Sequence, residues 1–407
     1  MAKVCKFIPV CVVLIFAAGS SAVGRLEGRE VDHKRLAQIR QQMQAFVDQQ
    51  QIAGAVTLVG NHEEIYSLEA VGQRDIEKGL PMQKDSIFRI ASMTKPITAI
   101  AIMTLVDEGK IDVDDPVENY LPEFKGQMLI SERKGDAITL KKPARPITVR
   151  DLLTHTSGMP GSPPAGLADL YVRRNHTLAE GVMAYSQRPL EFEPGSKWSY
   201  CNTGIDTLGR IVEAVSGTSF EMYLHENVFT PLGMTDTFFY PRSEIADRIA
   251  ATYNVHDGKL VRAPDAILGM TSDPRYPVPA GGLYSTASDL AKVYQMMLRH
   301  GVGPDDRVLS VTSVDTMTQL QTGDLACGFV PGMGFGFGWA VVKEPQGVTG
   351  MLSKGTYGHG GAFGTQAWID PERELFVILL IQRTGLPNGD ASDFRKTLQE
   401  TAFSAVK

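Results

Sequence analysis

Strand-like segments lie near both ends of this chain, and the long stretch between them has a different texture. The segments alternate in polarity or are continuously apolar, as strands of a buried sheet do, and they cover residues 54–60, 65–71, 337–342, 364–369 and 375–381. Because strands bury their apolar faces by joining a packed sheet, segments from the two ends are expected to meet in space. The pattern predicts an α/β (α+β) fold in which an antiparallel sheet, built from N- and C-terminal segments, is flanked by helices.

The middle of the chain, residues 111–330, predicts an inserted, mostly helical subdomain with long loops. The sheet subdomain then comprises residues 30–110 plus 331–406. The polar stretch 125–146 is expected to be a loop. Apolar residues at helical spacing predict helices within residues 30–50, 147–158, 203–215, 219–228, 288–300 and 392–406.

Residues 1–22 have the order of a secretory signal peptide. Two lysines precede an apolar run at 7–18, and small residues follow up to Ala22. The run is shorter than the roughly 20 residues of a membrane-spanning helix, and Pro9 interrupts it. We therefore expect cleavage after Ala22 and a secreted or periplasmic protein without stable membrane insertion. An uncleaved anchor is the alternative.

The composition excludes some classes of partner. Hydrophobic residues make up 43% and charged residues 21% of the chain, as in ordinary globular proteins. The net charge of −6 and the lack of a basic stripe disfavour nucleic-acid binding. Beyond the signal peptide only Cys201 and Cys327 remain, too few for a disulfide framework. The sequence does not indicate an oligomeric state.

A Ser-x-x-Lys set lies at Ser92 and Lys95, where an extended run gives way to an amphipathic helix. Residues three apart at a helix start share one face, so the two side chains can meet. The first-turn N–H groups there are unpaired and can face a developing oxyanion. Two other Ser-x-x-Lys sets, at 131–134 and 404–407, precede no such helix. The structural alternative is that Ser92 caps the helix.

Two further motifs follow in order. Tyr200-Cys201-Asn202 is the first; on a structural interpretation Tyr200 is a half-buried aromatic residue and Asn202 a helix cap. The second is the strand-opening run at 357–362, which contains His359; its structural interpretation is a glycine-rich turn.

Taken together, these motifs resemble the serine β-lactamase and DD-peptidase superfamily, nearest to its class C β-lactamase-related esterase branch. The resemblance covers roughly residues 35–400, and further supporting phrases lie at 147–158, 194–202, 230–235 and 279–290. It implies a β-lactamase/transpeptidase-like fold and a serine hydrolase with an acyl-enzyme, and no cofactor or metal. The roles it implies are these: catalytic Ser92, Lys95 and Tyr200, an oxyanion hole at the backbone N–H groups of Ser92 and Ala362, and substrate binding by Asn202, His359, Gly360 and Gly361.

The proton of Ser92 needs a base, and free lysine and tyrosine titrate near 10.4 and 10, too high to act at neutral pH. A positive charge at about 4 Å contributes about 4 kcal/mol at an effective dielectric near 20. That would lower a phenol pKa by two to three units, about 3–4 kcal/mol. We therefore expect a Lys95 ammonium to lower the pKa of Tyr200. The two groups are coupled, so which one holds the proton is left open.

Two departures from the family pattern bear on the substrate. Relatives that act on lactams or D-peptides commonly carry Lys-Thr-Gly where this chain has His359-Gly360-Gly361, and a histidine is only partly charged at pH 7. Cys201 takes the middle of the tyrosine motif and is expected to be a spacer. The pattern favours esters or amides that lack a carboxylate.

Three functions therefore remain open. The first is a carboxylesterase that acts on small-molecule esters or amides. The second is a class C-like β-lactamase or D-amino-acid peptidase, with lactam or peptide substrates. The third is a non-catalytic relative that binds peptides or cell-wall fragments. Motifs of α/β-hydrolases, zinc proteases and nucleotide-binding proteins do not occur in the sequence. His155, Trp198 and Trp339 are expected to be structural.

Overall fold

The computed structural model of the protein describes residues 30–264 and 273–406, together with Met1. The rest of the predicted signal peptide lies outside the described residues. In the part of the chain that the structure describes, each helix is too short or too polar to cross a bilayer.

The helices of the described residues are α1 His33–Leu36, α2 Gln38–Asp48, α3 Thr94–Asp107, α4 Val149–Leu153, α5 Leu170–Arg173, α6 Leu178–Ser186, α7 Asn202–Ser216, α8 Phe220–Leu224, α9 Thr230–Leu232, α10 Ala287–Leu298, α11 Val311–Thr318 and α12 Asp393–Ala405. The strands are β1 Gly54–Gly60, β2 Ile65–Asp75, β3 Leu80–Pro81, β4 Phe88–Arg89, β5 Leu129–Lys134, β6 Ala137–Lys141, β7 Tyr253–His256, β8 Lys259–Arg262, β9 Tyr284–Ser285, β10 Met333–Phe335, β11 Ala340–Val342, β12 Tyr357–Gly360, β13 Gln366–Asp370 and β14 Leu375–Leu380.

One large antiparallel sheet joins the two ends of the chain. Its strand order is β10-β11-β12-β13-β14-β1-β2-β3, so the N-terminal β1 and the C-terminal β14 are neighbours at its centre, with Val56 opposite Leu380. Every residue of these two strands is buried. Strands covered on both faces read as continuous apolar runs rather than as alternating ones. The predicted fold class is confirmed, whereas the subdomain boundaries at 110 and 331 stay a prediction.

Two apolar cores lie on opposite faces of this sheet. One contains side chains from α1, α2 and α12, including Ile39 and Leu398. The other contains side chains from α3, α10 and the helical region, including Ile100 and Leu208. Strands β1 and β14 contribute residues to both cores. The sheet therefore separates the two cores, and packing in one of them holds α3 and its first turn in place.

Helix α3 is buried on all sides, so the expectation of an amphipathic helix is wrong. All residues from 94 to 105 are buried, and the helix packs against α7, α11 and β12. Its threonines find internal partners: Thr98 Oγ1 donates to the Pro279 carbonyl oxygen at 2.8 Å, and Thr104 Oγ1 donates to the Ala101 carbonyl oxygen at 2.8 Å. These hydrogen bonds let polar residues occupy a helix that faces no solvent.

The stretch 125–146 is not a loop throughout, because β5 and β6 pair as an antiparallel hairpin within it. Nearly all residues of both strands are exposed. A strand without a buried face lacks the apolar alternation that reveals strands in a sequence, which is why the pattern suggested a loop. The predicted helices at 203–215, 288–300 and 392–406 correspond to α7, α10 and α12.

Candidate active site

Ser92 sits in a 3-10 turn, Ala91–Met93, between strand β4 and helix α3. Ala91 adopts a φ of 47°, which costs a non-glycine residue of order 1–3 kcal/mol. The surrounding structure imposes it: the Ile90 N–H donates to the Leu283 carbonyl oxygen at 3.0 Å, and Ala91 is buried. Such strain is found where a side chain must be presented at a sharp turn.

Lys95 contacts Ser92 as the motif spacing predicts. The Nζ atom of Lys95 lies 3.1 Å from Ser92 Oγ, within hydrogen-bonding distance, and donates a hydrogen bond to the Ala280 carbonyl oxygen at 2.6 Å. The lysine is fully buried. Burial disfavours the charged form and lowers the pKa of Lys95 to about 7, although the nearby Asp206 and Cys201 oppose the shift. An amine with this pKa is substantially unprotonated at neutral pH.

Tyr200 is brought to the same place by the turn that precedes α7. Lys95 Nζ lies 4.6 Å from the centre of its ring. The hydroxyl is buried and has no partner of good hydrogen-bond geometry among the described residues. Burial raises the pKa of Tyr200, and the nearby Ser92 hydroxyl lowers it only in part. The expectation of a lowered phenol pKa is therefore wrong, because burial of the phenol is the dominant effect on its pKa.

The sequence interpretation of Asn202 as a helix cap is also wrong. Cys201 caps α7, since its Sγ accepts from the Gly204 N–H at 3.2 Å, and Asn202 is the first residue of the helix. Asn202 is not among the residues that line the cavity above Ser92. The Cys201 N–H donates to His155 Nδ1 at 3.1 Å, which agrees with the structural role expected for His155.

Strand β12 forms the other side of the site. Gly361 packs against the turn that carries Ser92: a Cβ atom placed on it would lie 2.5 Å from the Ile90 carbonyl oxygen and 2.2 Å from Thr365 Oγ1. A Cβ on Gly360 would lie 2.3 Å from Asp390 Oδ1. Gly361 is thus required by the protein's own packing against backbone, and not only by the approach of a substrate, as the sequence suggested, whereas the contacts at Gly360 are with side-chain ends.

His359 is buried and uncharged at neutral pH. Burial is the main cause that lowers its pKa to about 4, and the charge of Lys95 lowers it further. Its Nδ1 lies 2.7 Å from the Gly360 carbonyl oxygen. A carbonyl can only accept, so Nδ1 carries the proton and Nε2 is left as an acceptor. The histidine that replaces the family's lysine therefore supplies no positive charge.

An open cavity of about 460 Å³ joins these groups, within the range of small-molecule sites. Its lining comes from the 3-10 turn that carries Ser92, from the tyrosine motif and from segments nearer the C-terminus. The lining residues are Ser92, Tyr200, Phe329, His359, Gly360, Gly361, Ala362, Gln366, Leu386, Pro387, Asn388, Gly389 and Asp390. Among the described residues no group of three or more His, Cys, Asp or Glu side chains could hold a metal ion.

Some residues of this region were missed in the sequence. Phe329 packs edge-on against Tyr200 with ring centres 5.0 Å apart, and Asp390 is the one carboxylate in the cavity lining. Asp206, buried on α7, interacts electrostatically with Lys95. The only available signal for Asp206 was its position one helical turn beyond Asn202. No spacing rule connects the other two residues to Ser92.

The fold and this arrangement define a serine hydrolase of the β-lactamase fold, in which a serine and a lysine share a helix start and a tyrosine faces them. The Beta-lactamase family model matches residues 39–402, and the chain belongs to this family.

Its relatives include enzymes of more than one kind. Esterase EstB of Burkholderia gladioli is 32% identical, over 84% of this chain and 90% of the relative. Penicillin-binding protein 4 of Amycolatopsis lactamdurans is 32% identical, over 80% of this chain and 79% of the relative. Among solved structures, EstCE1, a hydrolase with promiscuous acyltransferase activity, matches with a TM-score of 0.77 at 27% identity, over 92% of this chain and 98% of its own.

The close approach of Gly361 to the turn that carries Ser92 leads to a prediction. Gly361→Ala should destabilise the protein by about 1–3 kcal/mol, because the added methyl group collides with backbone and must push β12 from the turn. It should also lower the rate of hydrolysis, because Ala362 moves relative to Ser92. Chemical denaturation measures the first effect, and hydrolase kinetics measure the second.

Gly166→Ala is the matched control, since a Cβ there meets nothing within 4 Å and the residue has no positive φ. It should leave stability within about 0.5 kcal/mol. Equal behaviour of the two variants would contradict the close contact.

Proposed function

We propose that this protein is a carboxylesterase that forms an acyl-enzyme on Ser92, with Lys95 as the general base. The observation that carries the proposal is a fully buried amine 3.1 Å from the serine hydroxyl oxygen. A serine hydroxyl is a weak nucleophile until an adjacent base takes its proton. With a pKa of about 7, the Lys95 amine matches a base that works near neutral pH.

The steps follow from this geometry. Lys95 Nζ accepts the Ser92 proton while Oγ bonds to the ester carbonyl carbon, and the carbonyl oxygen becomes an oxyanion. The N–H groups of Ser92 and Ala362 hold that oxyanion. The carbon–oxygen bond to the alcohol then breaks, and the alcohol leaves with the proton from Lys95. Water repeats the sequence on the acyl-enzyme, which releases the acid and restores Ser92.

Tyr200 serves in this scheme as a neutral hydrogen-bonding group. Because burial raises its pKa, the phenol stays protonated at neutral pH and can donate to the oxygen of the leaving alcohol. Its ring also faces the Lys95 ammonium that forms when the proton is transferred, at 4.6 Å from the ring centre. A cation over an aromatic face is stabilised by about 0.5–2 kcal/mol.

The charges around the cavity favour substrates that lack a carboxylate. His359 is neutral, and Asp390 places a negative charge in the lining. Arg395 lies behind this surface, fully buried, with its guanidinium 3.9 Å from the centre of the Trp368 ring and 3.8 Å from Asp390 Oδ1. Asp390, which lines the cavity, therefore pairs with this cation. Because the two charges offset each other and His359 is neutral, this part of the lining offers a substrate carboxylate little attraction.

The names of the relatives are compatible with this proposal and with its main rival. They include lovastatin esterase of Penicillium rubens, at 28% identity, and a putative D-alanyl-D-alanine carboxypeptidase of Escherichia coli, at 30% identity. β-Lactams and D-Ala-D-Ala peptides carry carboxylates, so the charges at His359 and Asp390 favour the esterase. A non-catalytic binding role would leave the paired Ser92 and Lys95 without a use.

We also propose that the enzyme works outside the cytoplasm. The support is the order of a basic region, an apolar run and small residues within residues 1–22. N-terminal sequencing of the protein recovered from a secreting host would test it: a mature N-terminus just after Ala22 is expected, and an intact residue 1–22 segment would contradict it.

A substrate panel tests the activity. The wild type should hydrolyse p-nitrophenyl butyrate, while a chromogenic cephalosporin and a D-Ala-D-Ala peptide should be poor substrates. Ser92→Ala should abolish ester turnover, because the acyl-enzyme cannot form. A fluorophosphonate should add to Ser92 in the wild type, as detected by mass spectrometry.

The outcomes separate the three functions. Cephalosporin or peptide turnover as the dominant activity would select the rival enzymes. Absence of all turnover and of the Ser92 adduct would select a binding protein. Ester turnover that survives in Ser92→Ala would overturn the proposed nucleophile.

The base assignment predicts a pH profile. The kcat/KM for a neutral ester should rise with pH through a midpoint of about 7, because only the unprotonated Lys95 amine accepts the serine proton. Lys95→Met should lower kcat/KM by about 10²–10⁴-fold, the usual contribution of a general base. Lys197→Met, which removes an exposed lysine next to the tyrosine motif, is the control and should leave the profile unchanged. A midpoint near 10 would show that Lys95 titrates like a free lysine.

The charge of Asp390 predicts a change in selectivity. Asp390→Asn should raise the kcat/KM for a hemisuccinate ester, relative to a butyrate ester, by roughly ten-fold, about 1.4 kcal/mol. It removes a repulsive charge and leaves the Arg395 cation uncompensated. Asp393→Asn removes the same charge from an exposed position nearby that does not line the cavity, and should leave the ratio unchanged. An unchanged ratio in Asp390→Asn would separate Asp390 from substrate selection.

A further inference from the structure

A buried carboxylate lies behind Lys95, on the side away from the cavity. Asp206, on α7, is fully buried. It accepts hydrogen bonds from Tyr171 Oη at 2.6 Å, from Tyr276 Oη at 2.9 Å and from the Ala280 N–H at 2.9 Å. Three donors satisfy most of what an ionised carboxylate requires, which is how a charge can be held inside a protein.

Ala280 connects this carboxylate to the nucleophile. Its N–H donates to Asp206 Oδ1, and its carbonyl oxygen accepts the hydrogen bond from Lys95 Nζ at 2.6 Å. The same segment is tied to α3, since the Pro279 carbonyl oxygen accepts from Thr98 Oγ1 at 2.8 Å. The direction in which the Lys95 amine points is therefore set by a peptide that Asp206 anchors.

A structural role alone would explain part of this arrangement. Asp206 could simply give two buried tyrosines an acceptor, and an asparagine side chain of similar size would keep an acceptor oxygen in the same place. What a neutral amide cannot supply is a negative charge near Lys95. That charge acts when the amine takes the serine proton and becomes an ammonium that is itself buried.

We propose that Asp206 is the positioning residue of the Lys95 base, which orients the amine through Ala280 and stabilises the ammonium that forms during acyl transfer. The inference rests on the proposed function, because it requires Lys95 to be the base. One buried side chain thus sets the direction of the Lys95 amine and supplies the negative charge that balances its ammonium.

The other titratable groups around this pair are neutral near pH 7. Burial is the main cause that raises the pKa values of the tyrosines and of Cys201 and lowers those of the two histidines; the groups concerned are Tyr171, Tyr185, Tyr200, Tyr276, Cys201, His155 and His359. Burial also raises the pKa of Asp206, to about 6, against its hydrogen bonds and the charge of Lys95. Asp206 is thus mostly ionised where the enzyme is expected to work.

The direction of the pH effect follows. Without the negative charge the Lys95 ammonium is less stable, so the pKa of Lys95 falls and the acid limb of kcat/KM moves to lower pH. A weaker base with no counter-charge for its ammonium also transfers the proton more slowly, so kcat on the plateau falls. KM should change little, since Asp206 does not line the cavity.

The test is Asp206→Asn, assayed on a neutral ester across pH. The acid limb should move down by about one pH unit, and the plateau kcat should fall by about ten-fold or more. Asp289→Asn is the matched control: Asp289 is also a buried carboxylate and accepts from Thr237 Oγ1 and from the Asp236 N–H, but it does not contribute to the pKa of Lys95. It should lower stability without moving the limb.

A milder variant covers the case in which Asp206→Asn does not fold. Tyr171→Phe removes one of three hydrogen bonds to the carboxylate, which raises the pKa of Asp206 and reduces its charge near pH 7. The limb should move in the same direction by a smaller amount. If the folded variants keep the wild-type limb and plateau and lose stability alone, Asp206 is structural and the proposal is overturned.

This result is separable from the fate of the proposed function. If Lys95→Met retains wild-type activity, Lys95 is not the base, whatever Asp206→Asn shows. If Lys95→Met is inactive and Asp206→Asn keeps both the limb and the plateau, the proposed function stands and the role of Asp206 falls.

Discussion

The burial of one amine is the constraint on which the rest of the site depends. A lysine side chain is almost never fully buried unless it is paired, because removing an ammonium from water is costly. Lys95 reduces this cost because a pKa of about 7 leaves a substantial fraction of the amine neutral at neutral pH. A neutral amine can accept a proton, and the Ser92 oxygen 3.1 Å away has one to give. The burial that lowers the pKa of Lys95 thus also leaves a neutral amine that can accept a proton.

The fold holds that amine by enclosing its helix completely. Strands from the two ends of the chain pair at the centre of the sheet, and α3 lies between this sheet and the helical region. The turn that carries Ser92 lies between β12 and the segment around Ala280. On the β12 side, the space at Gly361 is too small for a side chain. The site is therefore assembled from parts of the chain that only the sheet brings together.

The charges of the cavity complete this picture. The position at which the family commonly has a lysine holds a neutral histidine, because burial lowers the pKa of His359 to about 4. Arg395, a buried cation next to the lining, is paired with Asp390. Within the cavity lining the ionised side chain is thus a carboxylate, which suits an uncharged ester and not an anionic lactam. The same buried environment lowers the pKa of Lys95 and removes the charge from His359.

Much of this was accessible from the sequence, for reasons that can be named. The strands around 54–60 and 375–381 are apolar because both faces are covered, and the Ser92 and Lys95 spacing is a local property of a helix start. The hairpin of β5 and β6 left no signal, since its strands bury no face. The rise in the pKa of Tyr200 comes from the burial of its phenol in the folded protein, which spacing along the chain does not encode.

Asp206 and Asp390 could not be predicted for a related reason. Each acts through partners that are distant in the sequence, Asp206 through Ala280 and Asp390 through its place in the cavity lining. A motif records residues that are neighbours along the chain, whereas these contacts exist only after folding. In the sequence, Asp206 looks like any other polar residue on a helix, because its burial is visible only in the folded structure.

The most direct measurement is the titration of the Lys95 amine itself. Lysine side chains labelled with ¹³C at the ε position report their protonation by NMR, and the Lys95→Met variant identifies which signal belongs to Lys95. The account predicts a midpoint of about 7, far below the remaining lysines. A Lys95 signal that stays protonated up to a pH near 10, as free lysine does, would contradict it.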